Sequence, residues 1–356
     1  MKAVVQSVLP LLMLLAVTNR STALIVSRTL IRQRTTALFS TKMAPGPPLL
    51  LRNGMEHPSI GFGTYKVGFI PASASSAAVD AKKESRSAVD CIQDALDVGY
   101  RCLECAEFYG NQEAVGQAIS GYPRKDLFLI GKVWTTTIEK GPEAIRAQLD
   151  ETLRQLGTTY LDLYLIHWPV PHHHVTAYKT LLELRDEGKI RGVGVSNYAW
   201  EDFLELKEHK IPADDLPLVN QIEINPFLYR KNTISKFQSE GVILQSYRSL
   251  RDGKAMGHPL LVELGSKYNK SPAQLLGRWC VQKGFGYFPK SVRRDRMEEN
   301  ARVFDFEIQA DDMQRLDALT TPDTLTAFEE LYRKCVNRDT SKAGSMDGVK
   351  MSITKD

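Results

Sequence analysis

Leu161-Asp162-Leu163-Tyr164-Leu165-Ile166-His167-Trp168-Pro169 is a short apolar run that ends in a histidine, and it is one of a series. Upstream lie Gly99-Tyr100-Arg101-Cys102-Leu103-Glu104-Cys105-Ala106-Glu107-Phe108-Tyr109-Gly110-Asn111 and Leu127-Phe128-Leu129-Ile130-Gly131-Lys132-Val133-Trp134. Strand runs are expected at 60–64, 101–105, 127–134, 161–167, 190–195, 217–223, 242–247 and 285–288. Helical spacing fills the intervals: Ala88, Val89, Ile92, Ala95 and Leu96 recur at three and four, and so do Ile145, Leu149, Leu153 and Leu156. The second pattern opens on Pro142 and closes on Gly157, the asymmetry of real helix ends. Eight strand runs alternating with helices predict a single parallel (β/α)8 TIM-type barrel of the α/β class. Several runs are apolar on both faces, as strands covered by helices must be. An open doubly wound sheet is the alternative, but the Gly-x-Gly-x-x-Gly turn expected after its first strand is absent from the sequence. Ahead of the first run, Asn53-Gly54 between Leu49-Leu50-Leu51 and Met55 signals a tight N-terminal β-hairpin.

At 356 residues, with 43% hydrophobic and 25% charged, the chain suffices for one large core. Its net charge of +4 is an effect of the N-terminus, because residues 1–55 hold no Asp or Glu. Lys2, Arg20, Arg28, Arg32, Arg34 and Lys42 are the basic residues before position 46; without them 40 basic residues face 42 acidic ones. A body near neutrality makes no electrostatic case for nucleic acid. Residues 1–45 read as a bipartite leader: Lys2, an apolar run from Ala3 to Val17, the small residues Ser21 and Ala23, then a Ser/Thr/Arg-rich stretch. This resembles leaders that route proteins through the ER into plastids; a secretory signal and a mitochondrial presequence are the alternatives. The apolar run is shorter than a spanning helix, so no stable membrane anchor is expected. Five cysteines, Cys91, Cys102, Cys105, Cys280 and Cys335, form no CxxC pair and are read as small buried hydrophobes.

The strand-end residues Glu104, Tyr109, Lys132 and His167, in this order and context, resemble the aldo-keto reductases, and the similarity extends over about residues 48–325. The resemblance implies a hairpin closing the barrel floor and an NADPH-dependent oxidoreductase reducing small aldehydes or ketones. Tyr109 would be the general acid and Lys132 its activator. Glu104, where the family has Asp, would hold Lys132, and His167 would orient the carbonyl. Chemically, a tyrosine is a poor acid near neutral pH, and an adjacent ammonium stabilises the tyrosinate and lowers its pKa. Because Glu is longer than Asp, a second reading stays open: a catalytically weak NADPH-binding barrel serving as a sensor or interaction subunit.

The cofactor segments carry the resemblance further. Gly192-Val193-Gly194-Val195-Ser196-Asn197 and Val219-Asn220-Gln221 match those whose Ser196, Asn197 and Gln221 would bond the nicotinamide carboxamide; Tyr247 would stack on the ring. Arg248-Ser249-Leu250 stands where the family usually has Ser-Pro-Leu. In the segment Phe288 to Asn300, Lys290, Ser291 and Arg296 map onto ligands of the 2′-phosphate of NADPH, and Glu299 and Asn300 onto adenine contacts. A dianionic phosphate favours such cations at a helix N-terminus, which implies NADPH/NADP+ over NADH.

Tyr65, Trp134 and Trp168 would form an aromatic substrate wall beside His167, with ordinary core packing as the alternative for Trp168. The stretch after His167 is short, which suggests an open pocket for small carbonyl compounds. His172, His173 and His174 look like a metal tract but lack a sequence-adjacent carboxylate, so they are expected to face solvent and no metal is assigned. Residues 71–79, rich in Ala and Ser, read as a flexible loop, with a part in substrate access as the alternative. The barrel is placed at 46–333, and the polar stretch 334–356 is read as a tail, mobile or wrapped over the surface. The sequence is silent on oligomeric state.

Overall fold

The computed structural model describes residues 46–68 and 86–356; the leader and the 71–79 insertion lie outside them. Strands β1 (Leu49–Leu50) and β2 (Glu56–His57) form the antiparallel N-terminal hairpin. Its register, Leu49 opposite His57 and Leu50 opposite Glu56, leaves five residues in the connection rather than the two of a minimal turn. Gly54 takes the left-handed conformation there at φ 82°, and the Asn53 side chain accepts from the Met55 amide.

Eight parallel strands follow in sequential order: β3 (Phe62–Gly63), β4 (Cys102–Glu104), β5 (Phe128–Val133), β6 (Leu163–Ile166), β7 (Val193–Ser196), β8 (Val219–Glu223), β9 (Ile243–Tyr247) and β10 (Gly286–Tyr287). A parallel bridge between Ile60 and Tyr287 joins the first to the last. The Gly61 and Tyr287 amides, donating to Tyr287 and Ser59, close the cylinder. Every expected strand is present, each shorter than its apolar run, because helix-facing residues flanking a strand are as buried as those within it.

Period-two alternation divides the core in two. Phe128, Ile130, Leu163, Leu165, Val219 and Cys102 point into the barrel, where they meet Leu51 of the hairpin and Phe288. Leu129, Val133, Tyr164, Ile166 and Ile222 point outward into the larger layer against the helices. The next inward positions toward the C-terminal strand ends are Glu104, Lys132, His167, Gln221 and Tyr247. One rim thus collects the polar side chains, as this fold requires of an active-site face.

Helix Pro142–Leu156 runs as its pattern predicts, with Pro at its start and Gly157 left-handed at its end. The C-terminal helix Pro322–Cys335 crosses the expected boundary at 334. The stretch beyond it wraps over the barrel, with Val336 and Ile353 fully buried. Fully buried Arg230 secures it, donating to the carbonyls of Ile353 and Glu223 while its guanidinium lies over Phe328. No helix among the described residues is long and apolar enough to cross a membrane.

Candidate active site

Tyr109 follows β4 on a short helical turn, Glu107–Tyr109, that Gly110 closes in the left-handed conformation. Its hydroxyl donates to Glu104 Oε1 at 2.7 Å and accepts from Lys132 Nζ at 2.8 Å. Lys132 also forms a close ion pair with the same Glu104 oxygen and donates to Gln221 Oε1 at 2.8 Å. All three ammonium donors are therefore used within the protein, at a side chain 0% exposed. Glu104 reaches both Lys132 and Tyr109 through its extra methylene, so the pair survives the longer carboxylate.

Burial sets the direction of the protonation equilibria. It raises the Tyr109 hydroxyl well above the ordinary tyrosine range, with Cys105, Tyr65 and Tyr247 adding to the effect, and lowers Lys132 well below the ordinary lysine range. This corrects the expectation of a tyrosine activated by a lowered pKa. Desolvation by burial is the largest cause at both groups, and Tyr109 keeps its proton. His167 is lowered well below the ordinary imidazole range, by burial and then by Lys132, and is neutral. Its Nδ1 has no protein partner among the described residues.

An aromatic wall stands over this cluster. Phe108 stacks on Trp134 at 4.0 Å, Trp134 meets His167 edge-on at 4.8 Å, and Tyr65 lies 5.0 Å from Tyr109. Glu107 fixes the wall by accepting from the Trp134 amide and from Thr137 Oγ1, both at 2.6 Å. The C-terminal stretch borders it: Asp339 accepts from Trp134 Nε1 at 3.2 Å, and the Arg338 guanidinium lies 5.1 Å from the Phe108 ring centre. Of the two readings of Trp168 the structure shows core packing, against Tyr332 at 5.5 Å. As an outward-facing residue after β6 it joins the helix layer.

Across the rim, Asn197 holds a left-handed φ of 61°. Its amide donates to the His167 carbonyl and to Ser196 Oγ, and its Oδ1 accepts from the Tyr247 hydroxyl at 2.8 Å. Ser196 donates to the Gln221 carbonyl at 2.7 Å. Gln221, expected to face a ligand, has both ends of its amide engaged, by Lys132 and by Gln245. Farther along, the helix Arg294–Ala301 begins at Arg293, whose side chain caps none of its amides, while the Asp295 carboxylate bonds the Asp295 and Arg296 amides. Arg293 and Arg294 there are tied to acids, Asp295 for the first and Asp94, Asp97 and Glu298 for the second. Lys290 and Arg296 are exposed, and neither forms an ion pair among the described residues. Ser291 turns its hydroxyl back to the Arg293 amide; Glu299 is half-buried and Asn300 buried. Two unpaired cations beside a helix N-terminus are what a phosphate ester favours. Those residues fit the charged end of a dinucleotide.

The sequence profile of the Aldo/keto reductase family matches residues 59–321. The chain belongs to this family. It is 37% identical over 275 residues to the uncharacterized oxidoreductase YtbE of Bacillus subtilis, covering 76% of this chain and 91% of YtbE. It is 35% identical over 271 residues to the glyoxal reductase of the same organism, covering 76% and 91%. A crystal structure of the Bombyx mori aldo-keto reductase in complex with NADP superposes with a TM-score of 0.68 at 26% identity, covering 78% of this chain and 94% of that one. This chain is accordingly an oxidoreductase of the aldo-keto reductase family.

Against the family pattern, Arg248 at the end of β9 is accommodated by ion pairs to Glu223 and Asp252 at 2.9 Å, and its φ of 48° is left-handed. Sequence reasoning missed Phe108; its place beside Tyr109 on one helical turn was the available signal. It also missed the burial of His174, which is 1% exposed, lies 3.1 Å from the Tyr198 hydroxyl through Nδ1 and 3.4 Å from Glu205 through Nε2. Only His172 of the three histidines is fully solvent-facing. Cys102 and Cys105 are buried, and burial raises both thiols, Cys105 to about 12, which leaves them unreactive.

Proposed function

We propose that this aldo-keto reductase uses NADPH to reduce small aldehydes and ketones, with 1,2-dicarbonyl compounds as the substrate class to test first, and that Tyr109 is the acid. The observation that carries the reading is the buried Tyr109–Lys132–Glu104 cluster opening onto the aromatic wall beside His167. The 35% identity to a glyoxal reductase supports the substrate class. The unpaired Lys290 and Arg296 support NADPH over NADH.

When bound, NADPH supplies the hydride that adds to the carbonyl carbon. Protein groups do the rest. Neutral His167 donates a ring N–H toward the carbonyl oxygen, polarising it without competing for the proton. As negative charge develops on that oxygen, the Tyr109 hydroxyl turns from Glu104 and transfers its proton. The 2.8 Å hydrogen bond from Lys132 stabilises the tyrosinate left behind. Phe108, Trp134 and Tyr65 exclude water and accept an apolar substituent. Ser196, Asn197 and Tyr247 would hold the nicotinamide, while Gln221 keeps its oxygen on Lys132.

The test is NADPH oxidation by the purified chain with methylglyoxal, with and without Tyr109→Phe. The reading requires turnover in the parent and its loss in the variant while NADPH still quenches protein fluorescence. We further propose that residues 1–45 deliver the chain to a plastid; a fluorescent fusion of that segment appearing outside plastids would end that proposal.

A further inference from the structure

A line of polar side chains runs down the barrel interior from the active-site rim to the floor. Lys132 Nζ donates to Gln221 Oε1 at 2.8 Å, Gln221 Nε2 donates to Gln245 Oε1 at 3.0 Å, and Gln245 Nε2 faces His57 Nε2 at 2.8 Å. His57 belongs to the hairpin, 188 positions from Gln245 in the chain. All four side chains are buried, with Gln245 and His57 at 0% exposure. The His57 ring is held edge-on between Phe128 at 4.9 Å and Phe288 at 6.0 Å. None of this is needed to close a barrel, whose core inside the strands is otherwise Leu, Ile, Val, Phe and Cys102.

The direction of the line follows from one fact. A lysine ammonium has donors only, so Gln221 must show it an oxygen. Its amide nitrogen then points at Gln245, which must answer with oxygen and show nitrogen to the floor. His57 Nε2 must therefore accept, so its proton sits on Nδ1. Burial lowers His57 to about 4, consistent with a neutral, accepting ring. Reversing any one link would place two donors or two acceptors against each other in a dry interior.

We propose that His57 and Gln245 are positioning residues for the reduction: by fixing the direction of this amide line they hold the Gln221 oxygen on Lys132 and so keep the ammonium aligned on Tyr109. The proposal rests on the reading of Tyr109 and Lys132 as the proton-transfer pair. The charged or titratable groups facing Lys132 are Glu104, Tyr109 and His167; Gln245 is the only polar side chain bonded to His57 among the described residues.

The experiment compares His57→Gln with His57→Met in the full chain. The two replacements match in length and volume, but the glutamine carbonyl accepts from Gln245 and the thioether scarcely does. His57→Gln should keep kcat within about twofold, whereas His57→Met should lose about tenfold in kcat, the order of one hydrogen bond's worth of alignment. In His57→Met the alkaline limb of the kcat profile should move to lower pH, since Lys132 loses an acceptor that favours its charged form, while the KM for NADPH stays unchanged. Equal loss in both variants would reduce His57 to a packing residue and overturn the proposal, as would a His57→Met enzyme indistinguishable from the parent. A second readout needs no turnover: selective 15N-histidine labelling of the seven histidines, with His57 assigned by its absence in His57→Gln. An Nδ1–H tautomer supports the line as drawn even if no carbonyl substrate is turned over, which would count against the reductase reading alone. An Nε2–H tautomer overturns it.

Discussion

The two ends of the cofactor-facing rim are built on opposite plans. At the Tyr109 end every charge is buried and already answered within the chain: Lys132 uses three donors on Glu104, Tyr109 and Gln221. At the helix Arg294–Ala301 end, Lys290 and Arg296 are exposed and unpaired among the described residues, beside the helix N-terminus. The first end is preorganised and should respond to change in kcat and in stability. The second, on the proposed reading a phosphate site, should respond in cofactor affinity alone. A reductase needs both, because proton transfer tolerates little misalignment while a cofactor must enter and leave.

The strongest way to break the comparison is Lys132→Met. It leaves Glu104 buried without its cation, so activity should vanish and stability should fall by about 3–5 kcal/mol in denaturant unfolding. A stable variant would mean that the pair is not the buried unit described here. Next comes the pH dependence of stability. His57 is lowered to about 4 in the folded chain from an ordinary value of 6.5. The unfolded chain thus binds the extra proton first, and the contribution of neutral His57 is complete above pH 6.5 and lost as pH falls toward 4. Its size is about 3 kcal/mol at pH 4 by linkage, and His57→Met should flatten that part of the curve by the same amount. At the other end, Arg296→Ala should raise the KM for NADPH by about tenfold to a hundredfold, leaving kcat and the KM for NADH unchanged, as expected of one charge-assisted bond to phosphate. The smallest expected effect is that of Glu104→Asp. A shorter carboxylate keeps Lys132 but releases the Tyr109 hydroxyl, so kcat should rise by up to about fivefold. Activity seen only in Glu104→Asp would favour the sensor reading.

The fold was legible because strand and helix periods repeat eight times, and each Pro or Gly at a helix end confirms the period around it. The candidate cluster was legible because Glu104, Lys132 and His167 end apolar strand runs, where a polar residue is conspicuous. The connection from Gln221 through Gln245 to His57 was not. Each is a single polar residue in an otherwise ordinary segment, and only closure of the barrel over the hairpin brings them within hydrogen-bond reach. The tail was read by its polarity, which hides that Arg230, far upstream, collects its carbonyls. Trp168 was left between wall and core in the sequence; period two decides it, sending Trp168 outward while His167, one residue earlier, turns in. The direction of the Tyr109 shift also lay beyond the sequence, since it comes from burial that only the closed barrel creates.

The central claim is that a tyrosine held protonated by burial, with its lysine already satisfied, is the proton donor of a reductase. The direct measurement is single-turnover NADPH oxidation with methylglyoxal by the parent chain and by Tyr109→Phe, with NADPH binding followed in parallel. The account predicts hydride transfer in the parent, slowed at least about a hundredfold in Tyr109→Phe at unchanged NADPH affinity. Equal rates in the two proteins would contradict it.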